Sequence, residues 1–280
     1  MKLTRRRGYL GAAAVLLLTS ACSSNGSETG ARTFEPEHIH GLALDDDTGR
    51  LLVATHDGLF EVSSDGKPSP VGDVTTDLMG FTGAPDGEFL ASGHPGEGEG
   101  EGGPASLGLV TSSDGGASFE GVSLSGQADF HALDVTPTTV YGVDAGTRLL
   151  RSKDAGATWT EIPLPQPVAD IAADPASDVL LATSQAGLLS SDNAGESFTQ
   201  VPEAPILQLV DWADDGSLVG VDPAGQVYSA DAPGSWTKAA QLAPAQAITT
   251  APGGIVYVAT ASELLRSEDH GASFATVTRW

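Results

Sequence analysis

Five of the six histidines fall in the first half of the 280 residues: His38, His40, His56, His94 and His131. Imidazole is the commonest metal ligand among side chains, and it changes charge near neutral pH. Met79 and the carboxylates Asp77, Asp129 and Asp144 are interspersed with them. Imidazoles with a thioether suit copper, and imidazoles alone suit zinc. Carboxylates facing each other across a cleft could instead hydrolyse a glycosidic bond, at a separation set by the mechanism. Which chemistry is available depends on the elements that bring these residues together.

Those elements repeat. Ser152 to Trp159 reads S-x-D-x-G-x-T-W, and versions of it start at residues 63, 112, 152, 191, 229 and 267. A step near 40 residues marks a repeat architecture. The octets Ser112–Phe119 and Ser267–Phe274 match fully, Asn193 replaces the aspartate in the fourth, Pro233 replaces the glycine in the fifth, and Ser63–Pro70 is worn. The aspartate can accept backbone N–H bonds within a tight turn. The glycine supplies a backbone conformation closed to most residues. The last aromatic can wedge between neighbouring units. Short apolar runs such as Gly58-Leu59-Phe60 and Arg148-Leu149-Leu150 precede each octet, so the octet reads as the turn between the third and fourth strands of a four-stranded unit.

These residues resemble the Asp-box, or bacterial neuraminidase repeat, of sialidases and related glycoside hydrolases. The resemblance covers nearly all of residues 38–280, and it implies an all-β, six-bladed β-propeller of four-stranded antiparallel blades. In it Asp65, Asp114, Asp154, Asn193, Asp231 and Asp269 are structural turn residues. A box of this kind speaks to fold and says little of function. Six such units bury a common core only by packing in a ring. The first unit opens on a first strand and the last closes on a fourth, so no blade is expected to be shared at closure unless 33–37 pairs elsewhere.

Aligning the units turns the scattered histidines into a pattern. One position near the start of the first strand reads His40, Met79, His131, Ala169, Gln208, Gln246. Two residues earlier stand His38, Asp77, Asp129, Pro167, Ile206 and Pro244, and residues two apart share a face of a strand. The end of the second strand reads His56, His94, Asp144, Ser184, Asp222, Ala261. Antiparallel pairing brings these positions to one rim, over blades one to three, with the boxes on the opposite face. The expected metal site is His40, Met79 and His131 supported by His56 and His94, with His38 and Asp129 as flanking ligands or groups that orient the imidazoles. Hydrogen-bonded rim residues lining a water-filled channel are the plainer alternative. The Glu97-Glu99-Glu101 loop belongs to the same face, and His270 lies inside a box.

The formal charge is −24. Residues 1–21 carry Lys2, Arg5, Arg6 and Arg7 and no acid, so their removal makes the remainder four charges more negative. Such a surface excludes nucleic acid and anionic membrane as main partners. The basic start, the apolar run Leu10 to Leu18 and the small residues before Cys22 form an export signal. Arg6-Arg7-Gly8-Tyr9-Leu10 resembles a twin-arginine signal, with Sec export left open, and Thr19-Ser20-Ala21-Cys22 resembles a lipobox. Cys22 is the only cysteine, which leaves no internal disulfide and no thiolate metal site. The expectation is a lipid anchor at Cys22, a flexible tether over 22–37, and a monomeric propeller over 38–280 at the outer face of the cytoplasmic membrane.

A sialidase, as the resemblance has it, holds its substrate carboxylate with three arginines and attacks with a tyrosine partnered by a glutamate. The opening strand here is His38-Ile39-His40-Gly41. Arg50, Arg151 and Arg266 are placed towards the boxes, leaving Arg148 and Arg32 within reach of the rim. Tyr141 and Tyr257 read as core, and Tyr228 abuts a box. No nucleophile-elbow motif supports a Ser-His-Asp hydrolase either. The sequence thus predicts a binding protein with a copper, zinc or small-ligand site. The alternatives are a glycoside hydrolase using Asp77, Asp129 and Asp144, and a surface interaction scaffold.

Overall fold

Each repeat folds as four antiparallel strands. The computed structural model describes residues 34–45, 48–96 and 103–280. The export signal, Cys22, most of the tether, Arg32, Glu97, Glu99 and Glu101 lie outside the described residues. Blade one comprises β1 (Ile39–Asp45), β2 (Arg50–Thr55), β3 (Gly58–Val62) and β4 (Pro68–Pro70). Blade two comprises β5 (Asp77–Gly83), β6 (Phe89–His94), β7 (Leu109–Ser112) and β8 (Glu120–Ser123). Blade three comprises β9 (Phe130–Thr136), β10 (Thr139–Asp144), β11 (Arg148–Ser152) and β12 (Thr160–Ile162). Blade four is β13 (Ile171–Ala173), β14 (Leu180–Ala182), β15 (Leu189–Ser191) and β16 (Thr199–Gln200). Blade five is β17 (Leu209–Trp212), β18 (Leu218–Val221), β19 (Gln226–Ala230) and β20 (Thr237–Gln241). Blade six is β21 (Ala245–Ala251), β22 (Ile255–Thr260), β23 (Glu263–Ser267) and β24 (Ala275–Arg279).

Strands are paired in chain order within each sheet, and the first strands contact one another around the ring. The molecule is therefore a six-bladed β-propeller with β1, β5, β9, β13, β17 and β21 innermost. No blade is shared. Closure instead joins β1 to β21, and Ile39 N–H donates to Gln246 Oε1 across that seam at 3.1 Å. Phe34 is not in a strand; its ring packs 4.9 Å from Phe60 and 5.1 Å from Trp280.

The core lies in the six seams between blades. Five of them each receive one aromatic from the repeated octet: Phe119, Trp159, Phe198, Trp236 and Phe274. The sixth would take its aromatic from the first octet, which ends in Pro70, and there Phe34, Tyr257 and Trp280 pack instead. An open groove of about 910 Å³ remains beside them, lined in part by Ser63–Gly66, Tyr257 and Phe274.

The octet turns repeat one hydrogen-bond pattern. Ser152 Oγ donates to Asp154 Oδ1 and accepts from Gly156 N–H, and Thr158 N–H and Oγ1 donate to the two Asp154 oxygens. The same bonds recur about Asp114, Asn193 and Asp269. Hydroxyl and amide donors hold the Asp269 carboxyl down to about 2. In blade five, where Pro233 replaces the glycine, Ser235 closes the turn through Ala232 and Asp231 does not take this part. In blade one Asp65 accepts from Ser63 and pairs with Lys67.

Candidate metal centre at the propeller rim

The rim is shaped by a repeated irregularity. In β1 the register skips His40: Ile39 pairs with Thr55 and Gly41 with Ala54. The same skip occurs at Met79 in β5, at His131 in β9 and at Gln246 in β21. Each is a β-bulge on an innermost strand, and such bulges re-aim a side chain next to a functional site. The sequence alignment had placed these residues in one register, and the bulge is its physical content.

The structure brings His40 and His56 together with Asp77. His40 Nε2 lies 3.3 Å from Asp77 Oδ1, and His56 Nδ1 lies 3.0 Å from Asp77 Oδ2. One ligand atom from each of the three residues falls within 4.8 Å of the others. These three residues form a group that could hold a metal ion. The His40 side chain is 10% exposed and that of Asp77 12%, whereas His56 is 57% exposed. His40 Nε2 and Asp77 Oδ1 are buried without a hydrogen-bond partner. Buried polar atoms are nearly always satisfied, so two orphans facing each other call for an explanation.

Burial holds the His40 imidazole down to about 4, against the pull of the Asp77 carboxylate and with the help of His38, His56 and His131. At neutral pH the ring is therefore uncharged and carries a lone pair, the state a metal requires.

The second set sits one blade on. His94 Nε2 and His131 Nε2 lie 3.1 and 3.0 Å from the same atom, Asp129 Oδ2. Both histidines are about half-exposed, and Asp129 Oδ1 is a further buried atom without a partner. The remaining predicted residues are placed as follows. His38 is exposed, with its ring 4.7 Å from that of His40. Met79 is half-buried at its bulge. Asp144 accepts from Arg148 and from Asp129 N–H.

From sequence, Asp77 is expected among hydrolytic carboxylates, and His131 and Met79 beside His40. The grouping found differs because His40, His56 and His94 meet a carboxylate of the next blade, whereas His131 meets Asp129 of its own. Asp77 and Asp129 share a register position, each one blade beyond a histidine that ends a second strand. That offset was the available signal.

Three carboxylates passed unnoticed in the sequence. Asp134, Asp170 and Asp211 lie deep in the ring, facing a central cavity of about 90 Å³ that His40 and His131 also line. Each ties its blade to the next, accepting from Ala173, Val210 and Thr250 N–H respectively. Burial pushes Asp134 up to about 8 and Asp170 to about 7, and raises Asp211. An aspartate inside an apolar first strand, as in Leu133-Asp134-Val135, marks such a position.

Of the arginines, Arg148 is at the rim and is held by Asp144 and Glu161. Arg50 and Arg151 bond Gly115 and Ala194 carbonyls in the octet turns. Arg266 meets the Tyr257 hydroxyl beside the blade-six turn, and Tyr141 is buried. A three-arginine clamp is not present among the described residues.

No family model and no curated protein matches the sequence. Solved structures do. A gluconolactonase from Xanthomonas campestris is similar at TM-score 0.66 and 12% identity, over 80% of this chain and 84% of that one. A streptogramin B lyase is similar at TM-score 0.59 and 14% identity, over 88% and 84%. A Niastella koreensis GH74 enzyme is similar at TM-score 0.63 and 16% identity, over 86% of this chain; the chain spans 45% of that enzyme's length. At such identities the likeness is one of fold, and it defines the class as a six-bladed β-propeller.

Proposed function

We propose that this chain is an exported, lipid-anchored β-propeller that binds a divalent transition-metal ion at His40, His56 and Asp77. The observation that carries the metal is the buried pair His40 Nε2 and Asp77 Oδ1, 3.3 Å apart and without a well-formed hydrogen bond to any group, beside His56 Nδ1. Two ligands of a tetrahedral ion, with bonds of about 2.1 Å, stand roughly 3.4 Å apart. Two imidazoles and one carboxylate favour zinc among biological ions, and three protein ligands leave a fourth position for water or a small ligand. Copper, which also accepts imidazole ligands, is the second choice. The anchor rests on the lipobox-like Thr19–Cys22 after a basic start and an apolar run.

The test is calorimetric titration of zinc and copper into the metal-stripped chain and into a His40→Ala/His56→Ala variant. One tight event lost in the variant supports the site, and equal binding by both chains overturns it. Cys22→Ser should release the chain from membranes, and continued membrane association would refute the anchor.

A further inference from the structure

We propose that His94, Asp129 and His131 hold a second divalent transition-metal ion, one blade on from the first. The inference extends the reading of the rim as a metal centre, but it stands on separate residues. The propeller repeats the arrangement: a histidine ending a second strand, His56 or His94, meets the first-strand carboxylate of the next blade, Asp77 or Asp129. A histidine at a bulge completes each set, His40 from the earlier blade in the first and His131 from the later blade in the second. The donor type is the same in both, two imidazole nitrogens and one carboxylate.

In the structure each ring nitrogen is hydrogen-bonded to the same Asp129 oxygen, which gathers the three groups at one place. Both Nε2 atoms approach Asp129 Oδ2 at 3.0 and 3.1 Å, close to the roughly 3.4 Å edge of a tetrahedral site. Asp129 Oδ1 remains buried with no donor, so the carboxylate is only half used by the two rings. In the first set one ligand atom from each residue already lies within 4.8 Å of the others, and the second set is not gathered in that way. Side-chain exposures of 43% and 42% let either ring turn to close on an ion. The second ion is therefore expected to bind more weakly than the first.

Cobalt(II) titration of the metal-stripped full chain, followed by its visible absorption and by equilibrium dialysis, tests this. The expected result is two ions per chain, in two steps. His94→Ala/His131→Ala should remove the weaker step and keep the tighter one, and His40→Ala/His56→Ala should do the reverse. Asp129→Asn, which keeps shape and one acceptor, should weaken the second step at least about tenfold. Unchanged stoichiometry and affinity in both second-site variants would overturn the proposal. A wild-type chain with one ion, lost only in His40→Ala/His56→Ala, would refute the second ion and leave the first. One ion lost only in His94→Ala/His131→Ala would sustain the second set and refute the first. Thermal melting of each stripped variant verifies that it is folded.

Discussion

Gly156 and Gly216 form a matched pair that separates backbone strain from packing. Their φ angles are +84° and +86°, both in the left-handed region. A Cβ at Gly216 would meet nothing within 4 Å, whereas one at Gly156 would lie 2.1 Å from Leu109 Cδ2. Leu109 is fully buried in the seam between blades two and three, so its methyl cannot swing aside freely. Forcing alanine into a left-handed conformation costs about 1–2 kcal/mol. Loss of glycine's freedom in the unfolded chain returns about 0.4–1 kcal/mol. Gly216→Ala should therefore cost about 1 kcal/mol. Gly156→Ala adds an overpacking term of about 1–3 kcal/mol, for a total near 2–4 kcal/mol. Set against a domain stability of about 5–15 kcal/mol, the difference is measurable. Urea unfolding followed by tryptophan fluorescence is the assay, with m unchanged in both variants. Equal destabilisation by the two substitutions would refute the claim that the octet glycine is required for close blade packing.

Further outcomes follow from the same structure. Trp159 donates to Ser123 Oγ and Gly156 O and packs 5.0 Å from Phe130, so Trp159→Ala should cost about 3 kcal/mol in the same assay. Zinc at about a hundredfold over the Kd of the first site should stabilise the chain by about 2.7 kcal/mol, seen as a rise in Tm that EDTA reverses and that Asp77→Ala reduces by that amount. Burial raises Asp134 to about 8 and Asp170 to about 7, so between pH 6.5 and 8 the folded chain holds more protons than the unfolded one. Stability should fall as pH rises across that window, and Asp134→Asn should flatten the fall; parallel curves would contradict the placement. His40 has the opposite sign, since its folded value is lowered to about 4, and its contribution should grow from pH 4 to 6.5 and disappear in His40→Ala.

The fold was legible because the octet is a local device. Ser152, Asp154, Gly156 and Thr158 close their own turn, so their spacing alone announces a strand pair. The missing aromatic at Pro70 was legible too, but its consequence was not, because Phe34 and Trp280 come from the two ends of the propeller to fill the seam. The rim was half legible. Aligning His40, Met79 and His131 identified the right position, yet the side-chain directions were set by bulges that leave no mark in composition. Asp77 was read as a hydrolytic candidate because its partners lie on another blade, and contact between blades is not a property of one repeat. Asp134, Asp170 and Asp211 were hidden for the same reason: each bonds the backbone of the following blade.

The most direct measurement is anomalous diffraction at the zinc edge from crystals of the chain soaked with zinc. The account predicts a peak within bonding distance, about 2.0–2.2 Å, of His40 Nε2, a His56 ring nitrogen and an Asp77 oxygen. A zinc-soaked crystal with no peak at those three residues, while His40 Nε2 and Asp77 Oδ1 are satisfied by water or by each other, would contradict it.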